Sequence, residues 1–135
     1  MKRSLAREQA FILIFEKSFR DEEIPEIIEV AVTARELEPN EFMSRLATGT
    51  FENIDAIDEV INKNCIGWKK ERLSRVALAI LRLCCFELLY CSDIPVGVSI
   101  DQAVELAKKY ATEDDASYIN GVLGSVSRNE DLKKQ

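Results

Sequence analysis

The sequence of 135 residues contains no histidine and has few of the residues that make tight turns. The missing histidine removes the commonest metal ligand, the commonest general base and any nucleophile triad that depends on an imidazole. Five glycines and three prolines are too few for a sandwich or barrel built on many tight turns. These absences count against an enzyme from the outset, and no catalytic residue, metal or cofactor is expected.

Long apolar runs are also lacking. From Val76 to Cys91, 14 of 16 residues are hydrophobic, whereas a membrane-spanning helix needs about 20. The segment is therefore predicted to be a central core helix. Its two charged residues, Arg82 and Glu87, are expected to pair with neighbours, because an unpaired buried charge is prohibitive.

The four cysteines lack the spacing of a zinc site, and no export signal is expected ahead of them. Free cysteine behaves as a small core hydrophobe. We predict buried, reduced thiols in a cytoplasmic protein with no membrane contact.

Apolar residues recur at helical spacing along most of the chain, and no segment shows the alternation typical of a strand. A first helix is predicted over residues 4–19, and a second starts with Pro25 in its first turn. A third apolar stripe opens after Asn40 and runs to Lys63, either as one long helix or as two with a bend near residues 49–50. The fold class is thus all-α, a single compact domain of six or seven helices.

The second half of the chain carries further helix signals. A fourth helix is predicted from Trp68 through the apolar run. Ser99 and Gln102 have the spacing of a capping box that opens the next helix. Thr112 is a candidate cap for the last helix, whose buried side ends near residue 126, and residues 127–135 are predicted to be a polar tail.

The net charge of −6 hides an uneven distribution. Residues 1–20 carry a net +3 and residues 64–82 a net +4, so that ten of the 18 basic residues lie in these two segments. Such basic segments suit phosphate contact, but composition alone favours a solvated helix face. Charge alone leaves both interpretations open.

Six short motifs follow one another in the second half of the chain. They are Trp68-x-x-Glu71-Arg72-Leu73, Ile80-Leu81-Arg82-Leu83, Phe86-Glu87-Leu88-Leu89-Tyr90, Asp93-Ile94-Pro95, Ala103-Val104-Glu105-Leu106-Ala107-Lys108 and Tyr118-Ile119-Asn120-Gly121-Val122-Leu123. This ordered set resembles the bacterial NusB family of transcription antitermination factors, clearly over residues 66–124 and more weakly over nearly the whole chain.

The resemblance implies two small helical bundles that share a core, in a helical RNA-binding domain over residues 1–126. It also implies binding of the boxA element of nascent ribosomal RNA leaders as single-stranded RNA. The implied protein partners are the small-subunit ribosomal protein NusE, the RNA polymerase antitermination complex and, for some members, a second copy of the chain.

The family's arginine-rich start falls on Lys2, Arg3 and Arg7, which are therefore candidate RNA contacts. Here the basic run is interrupted by Ser4 and Leu5, so fewer phosphate contacts are expected. Whether Lys69, Lys70 or Arg72 compensates is left open by the sequence.

The family's basic and aromatic pair falls on Ser117 and Tyr118, so that the aromatic is kept for base stacking and the lysine is lost. Tyr118 is equally explained as a core residue. Phe86 and Asp114 are assigned to the partner surface, although an acid at a helix start is also explained by the helix dipole. Gly121 is predicted to allow close helix packing.

Two alternative functions are weighed. One is a helical adaptor that has lost RNA binding. The other is a relative of the N-terminal domain of a ribosomal RNA cytosine methyltransferase. The sequence argues against this alternative, because it shows no glycine-rich loop for S-adenosylmethionine.

Overall fold

Helices alone make up the regular structure in the part of the chain that the computed structural model describes, residues 1–65 and 73–132. Seven helices lie in these two ranges: α1 (Arg3–Lys17), α2 (Ile24–Ala34), α3 (Glu41–Glu52), α4 (Ile54–Asn64), α5 (Arg75–Tyr90), α6 (Val96–Tyr110) and α7 (Glu113–Asn129). The predicted all-α fold is confirmed. The predicted start of the fourth helix at Trp68 lies outside the described residues.

Side-chain caps begin α3, α5 and α7. Asn40, Ser74 and Thr112 each accept a hydrogen bond from the backbone N–H three residues further on, at 2.9, 3.0 and 3.0 Å. Each bond satisfies one of the N–H groups that a helix start leaves without an intrahelical partner. The predicted roles of Asn40 and Thr112 in opening helices are thereby confirmed.

The apolar stripe after Asn40 forms two helices, which is one of the two predicted alternatives. The break falls at Asn53 rather than near residues 49–50. Asn53 donates to the Gly49 carbonyl oxygen from both its backbone N, at 3.2 Å, and its side-chain Nδ2, at 2.9 Å. Asn53 therefore closes α3 locally, and α4 leaves in a new direction.

Two predicted boundaries in the second half are wrong. α6 begins at Val96 with Pro95 as its N-cap, so Ser99 opens no capping box. Ser99 is instead buried, and its hydroxyl donates to Glu87 Oε1 at 3.0 Å. α7 continues to Asn129, so its last turn extends past the predicted end near residue 126.

α5 is the central helix of the molecule, and it packs against α1, α3, α4, α6 and α7. On one side α1, α2 and α3 contact one another, and on the other side α7 contacts both α4 and α6. Two small bundles therefore share the apolar helix that the sequence predicts to be central. Burial of α5 on all sides explains why its sequence shows no polar face.

The close helix approach occurs at Gly49, whereas the sequence had suggested it at Gly121. A Cβ at Gly49 would lie 2.2 Å from Phe86 Cζ, whereas a Cβ at Gly121 would meet nothing within 4 Å among the described residues. The prediction for Gly121 is therefore wrong. Gly49 allows α3 to rest directly on the Phe86 ring of α5.

Arg82 pairs with Asp58 of α4, which confirms the prediction that it has a neighbour of opposite charge. Nε and Nη2 of Arg82 donate to the two carboxylate oxygens at 2.9 Å each. The two side chains are only 17% and 22% exposed. This bidentate ion pair links α4 to α5 and is partly shielded from solvent.

Arg82→Met should lower the free energy of unfolding by about 1–2 kcal/mol, between the values typical of exposed and of fully buried pairs. Chemical denaturation monitored by circular dichroism measures this difference. Lys63→Met, which removes an exposed pair with Glu59, is the matched control and should change stability by less than about 0.5 kcal/mol. Equal effects of the two changes would contradict the role given to Arg82.

Cys84, Cys85 and Cys91 are buried and form no disulfide, as predicted, and Cys65 is half-buried. Burial raises the pKa of the Cys85 thiol well above its usual range. This cysteine is therefore an uncharged core residue. None of the helices in the described ranges is long and apolar enough to cross a membrane.

Candidate nucleic-acid interface

The exposed start of α1 presents two of the predicted RNA contacts. Lys2 is the N-cap of α1 and Arg3 its first residue, and both are exposed. The Arg3 guanidinium lies over the Phe42 ring of α3, with Cζ 4.3 Å from the ring centroid. A cation held against an aromatic face is an arrangement that suits both phosphate and unstacked bases of single-stranded RNA.

An acidic residue lies within reach of this cation. Arg3 Nη2 is 3.6 Å from Asp93 Oδ2, in the loop between α5 and α6. Asp93 also accepts two hydrogen bonds from Arg45 of α3, at 2.7 and 3.1 Å. The hydrogen bonds from Arg45 hold the pKa of the Asp93 carboxyl well below its usual range, so the carboxylate is charged at neutral pH.

Arg7 is not on this surface. Its side chain is 4% exposed, and Nε and Nη2 donate to the Glu87 carboxylate at 2.8 and 3.0 Å. Nη1 donates to Gln102 Oε1 of α6 at 3.3 Å. The geometry thus opposes the predicted phosphate contact by Arg7. It confirms instead that Glu87 is paired. The buried Arg7 side chain thereby links α1, α5 and α6.

Ser117 and Tyr118 lie on α7, where Ser117 is exposed and Tyr118 half-buried. Burial, together with a hydrogen bond involving Cys65, raises the pKa of the Tyr118 hydroxyl well above its usual range. The hydroxyl group therefore belongs to the interior, and only part of the residue faces the groove between α4 and α7. Arg128 lines the same groove, so that the groove has a cation although residue 117 is not one.

The two residues assigned to the partner surface have contrasting environments. Phe86 is 6% exposed. Its ring packs under Gly49 and lies 5.5 Å from the Tyr90 ring, centroid to centroid. Asp114 is exposed in the first turn of α7, next to two other acidic residues. Phe86 is therefore an internal contact between α3 and α5, while the Asp114 side chain is exposed.

These candidate residues form two separate groups. Arg3 is in contact with Phe42 and Asp93, whereas Tyr118 lines a groove that residues of α4 and α7 share. Sequence reasoning missed Phe42, Arg45 and Arg128, because a single half-buried aromatic or a lone arginine in an acidic segment carries no pattern. Lys69, Lys70 and Arg72 lie outside the described residues.

Comparison with known proteins places this arrangement in context. The model of the NusB family matches residues 4–128. The transcription antitermination protein NusB of Bacillus subtilis is 39% identical over 126 residues, which cover 93% of this chain and 95% of that protein.

Solved structures give the same result. NusB of T. maritima matches with a TM-score of 0.85 and 33% identity, over 96% of this chain and 93% of that one. A structure of antitermination factors NusB and NusE in complex with double-stranded RNA matches with a TM-score of 0.84 and 27% identity, over 95% of this chain and 97% of that one. These matches also confirm the prediction of a protein that is not an enzyme. The family match over nearly the whole chain, the curated relatives and the all-helical fold with α5 shared between two bundles point to the same family. The chain belongs to the NusB family.

Proposed function

We propose that this protein is a transcription antitermination factor that binds boxA-type single-stranded RNA of nascent ribosomal RNA leaders together with NusE. The observation that carries the proposal is the similarity, over 95% of the chain, to a NusB captured with NusE and RNA. The proposed pair acts within an RNA polymerase antitermination complex, in the cytoplasm, where transcription takes place.

The proposed RNA contacts are Lys2 and Arg3 at the start of α1, with Ser117 and Tyr118 as a second group. Support for the first group comes from the exposure of both cations and from the Phe42 ring beneath Arg3. Support for the second comes from the groove shared by Tyr118 and Arg128. Arg7 is left out, because its guanidinium is already held by Glu87 inside the protein.

Asp114 is proposed as a contact to NusE because its carboxylate is exposed at the start of α7. Phe86 is proposed to contribute to partner binding indirectly, by holding α3 and α5 together through Gly49. Self-association through the same surfaces is a further proposal, and sedimentation at several concentrations tests it.

Lys2→Ala/Arg3→Ala should weaken binding of a labelled boxA-like RNA about five- to thirtyfold, if each exposed contact contributes about 0.5–1 kcal/mol. The slope of log K against log salt should become shallower by about 1.4, because each phosphate contact on a single strand contributes about 0.7. Fluorescence anisotropy with and without NusE measures both quantities.

The matched control for this experiment is Arg20→Ala/Arg35→Ala, which removes the same charge from residues that pair with Glu22 and Glu16. Its salt slope should equal that of the wild type. A chain that binds NusE but binds no RNA would favour the adaptor function instead. RNA binding must then be absent both with and without NusE. The burial of Arg7, which leaves fewer exposed cations, is the observation that keeps this second function open.

A further inference from the structure

Two arginines from different helices converge on one carboxylate beside the start of α1. Arg45 of α3 holds Asp93 through both Nη atoms, and Nη2 of Arg3 in α1 lies 3.6 Å from Oδ2 of the same carboxylate. All three side chains are accessible to solvent, with 58% of Arg3, 41% of Arg45 and 47% of Asp93 exposed. The cluster is therefore a surface feature that a ligand can reach.

The chemistry of the cluster is that of an oxyanion site. A guanidinium presents a planar fork of N–H groups that matches two oxygens of a carboxylate or a phosphate equally well. The Asp93 carboxylate occupies the place between the two forks that a phosphate group would take. Exchange of one anion for the other leaves the pairing of both arginines intact.

The surroundings favour a phosphate of single-stranded RNA over a free anion. The Phe42 ring supports the Arg3 guanidinium from below, so its planar face is held in place next to the fork of Arg45. Unstacked bases rest on such guanidinium planes and aromatic rings. Lys2 adds a further exposed cation at the same end of α1.

We propose that Arg45 is an RNA-contacting residue that forms one phosphate site with Arg3, and that Asp93 is the built-in competitor for that site. The proposal rests on the proposed function, since it names a contact residue and an attenuating residue within the same RNA surface. Without RNA, Asp93 neutralises the arginines; with RNA, a backbone phosphate displaces its carboxylate. Binding is thereby weakened for isolated phosphates and retained for a ligand with several contacts.

Asp93→Asn tests the proposal, because it removes the competing charge and keeps the size of the side chain. RNA affinity should rise about two- to fivefold, as expected for release of an exposed ion pair. The salt slope should stay equal to that of the wild type, since the same phosphate is contacted with and without the competing carboxylate. Anisotropy titrations with boxA-like RNA at several salt concentrations, in the presence of NusE, give both values.

The matched control is Glu22→Gln, which makes the same change in net charge and releases Arg20 from an ion pair of similar exposure, at 36% and 40%. It should leave the salt slope unchanged. Arg45→Ala should lower affinity, and Arg45→Ala combined with Asp93→Asn should lose most of the gain. Thermal unfolding of each variant verifies that the fold is intact, and Arg45→Lys keeps a test available should the alanine variant not fold.

The outcomes separate this proposal from the proposed function. If the wild type binds RNA but Asp93→Asn and Glu22→Gln have equal RNA affinity and equal salt slope, the phosphate site is overturned and the proposed function is not. Absence of RNA binding by the wild type with NusE would overturn both. A rise in RNA affinity for Asp93→Asn that depends on Arg45 supports the site.

Discussion

Arg7→Met should lower the free energy of unfolding by about 3–5 kcal/mol, the cost typical of breaking a buried ion pair by removing one partner. The change removes from the core the guanidinium that donates two hydrogen bonds to the Glu87 carboxylate, which is 1% exposed. Ser99 donates a hydrogen bond to that carboxylate but brings no charge. Urea denaturation monitored by circular dichroism measures the loss.

The double variant Arg7→Met/Glu87→Leu distinguishes charge from packing. Replacement of a buried pair by apolar residues of similar volume is often neutral or stabilising. We therefore expect the double variant to recover most of the stability lost by Arg7→Met. A loss as large as that of the single variant would show that the pair contributes through specific geometry and not through mutual neutralisation.

The same variants separate two possible roles of the basic start of α1. Since Arg7 is internal, a folded Arg7→Met/Glu87→Leu protein should bind RNA as the wild type does, with the same salt slope. Lys2→Ala/Arg3→Ala should do the reverse, with weakened binding and little change in stability. A shallower salt slope for the folded double variant would restore Arg7 as a phosphate contact.

Gly49→Ala should also destabilise the protein, by about 1–3 kcal/mol, the usual cost of overpacking a core. Its new Cβ would lie 2.2 Å from Cζ and 2.5 Å from Cε1 of Phe86, and the buried ring has little freedom to move. α3 must therefore shift away from α5. Thermal and urea unfolding of the purified variant check this result.

Gly121→Ala is the matched control, since a Cβ there meets nothing within 4 Å among the described residues. Alanine is the better helix former, so this change should stabilise α7 by about 0.5–1 kcal/mol. Gly49→Ala/Phe86→Leu should recover part of the loss, and the coupling between the two sites measures their contact. Destabilisation of equal size at both glycines would contradict the close approach assigned to Gly49.

Most of the fold was predictable because helix signals are local. The caps Asn40 and Thr112 and the apolar run of α5 each depend on residues within a few positions along the chain, which fixed spacing reveals. Ser99 misled the prediction because a buried serine and a capping serine look alike in sequence. Its hydroxyl bonds to Glu87 of another helix instead.

The candidate site was predictable only as a set of residues. The resemblance identified Lys2, Arg3 and Tyr118, and the structure describes the surroundings of each. The resemblance did not reveal Arg45, which lies in the strongly acidic segment 21–63 and pairs with a residue 48 positions away. Long-range pairs of this kind depend on which helix faces meet.

The amino-acid sequence by itself determined the all-helical class, the central position of α5 and membership of the family. Periodicity, capping and ordered motifs are properties of neighbouring residues, so they survive without coordinates. Only the tertiary structure decided which cations face solvent. Arg3 and Arg7 are one helical turn apart, yet the first is exposed over Phe42 and the second is buried against Glu87, 80 residues away. The reason is physical: both arginines lie on one face of α1 and over the Phe42 ring, but Arg3 is the exposed first residue of the helix and Arg7 lies one turn further in, where its buried charge persists because Glu87 meets it.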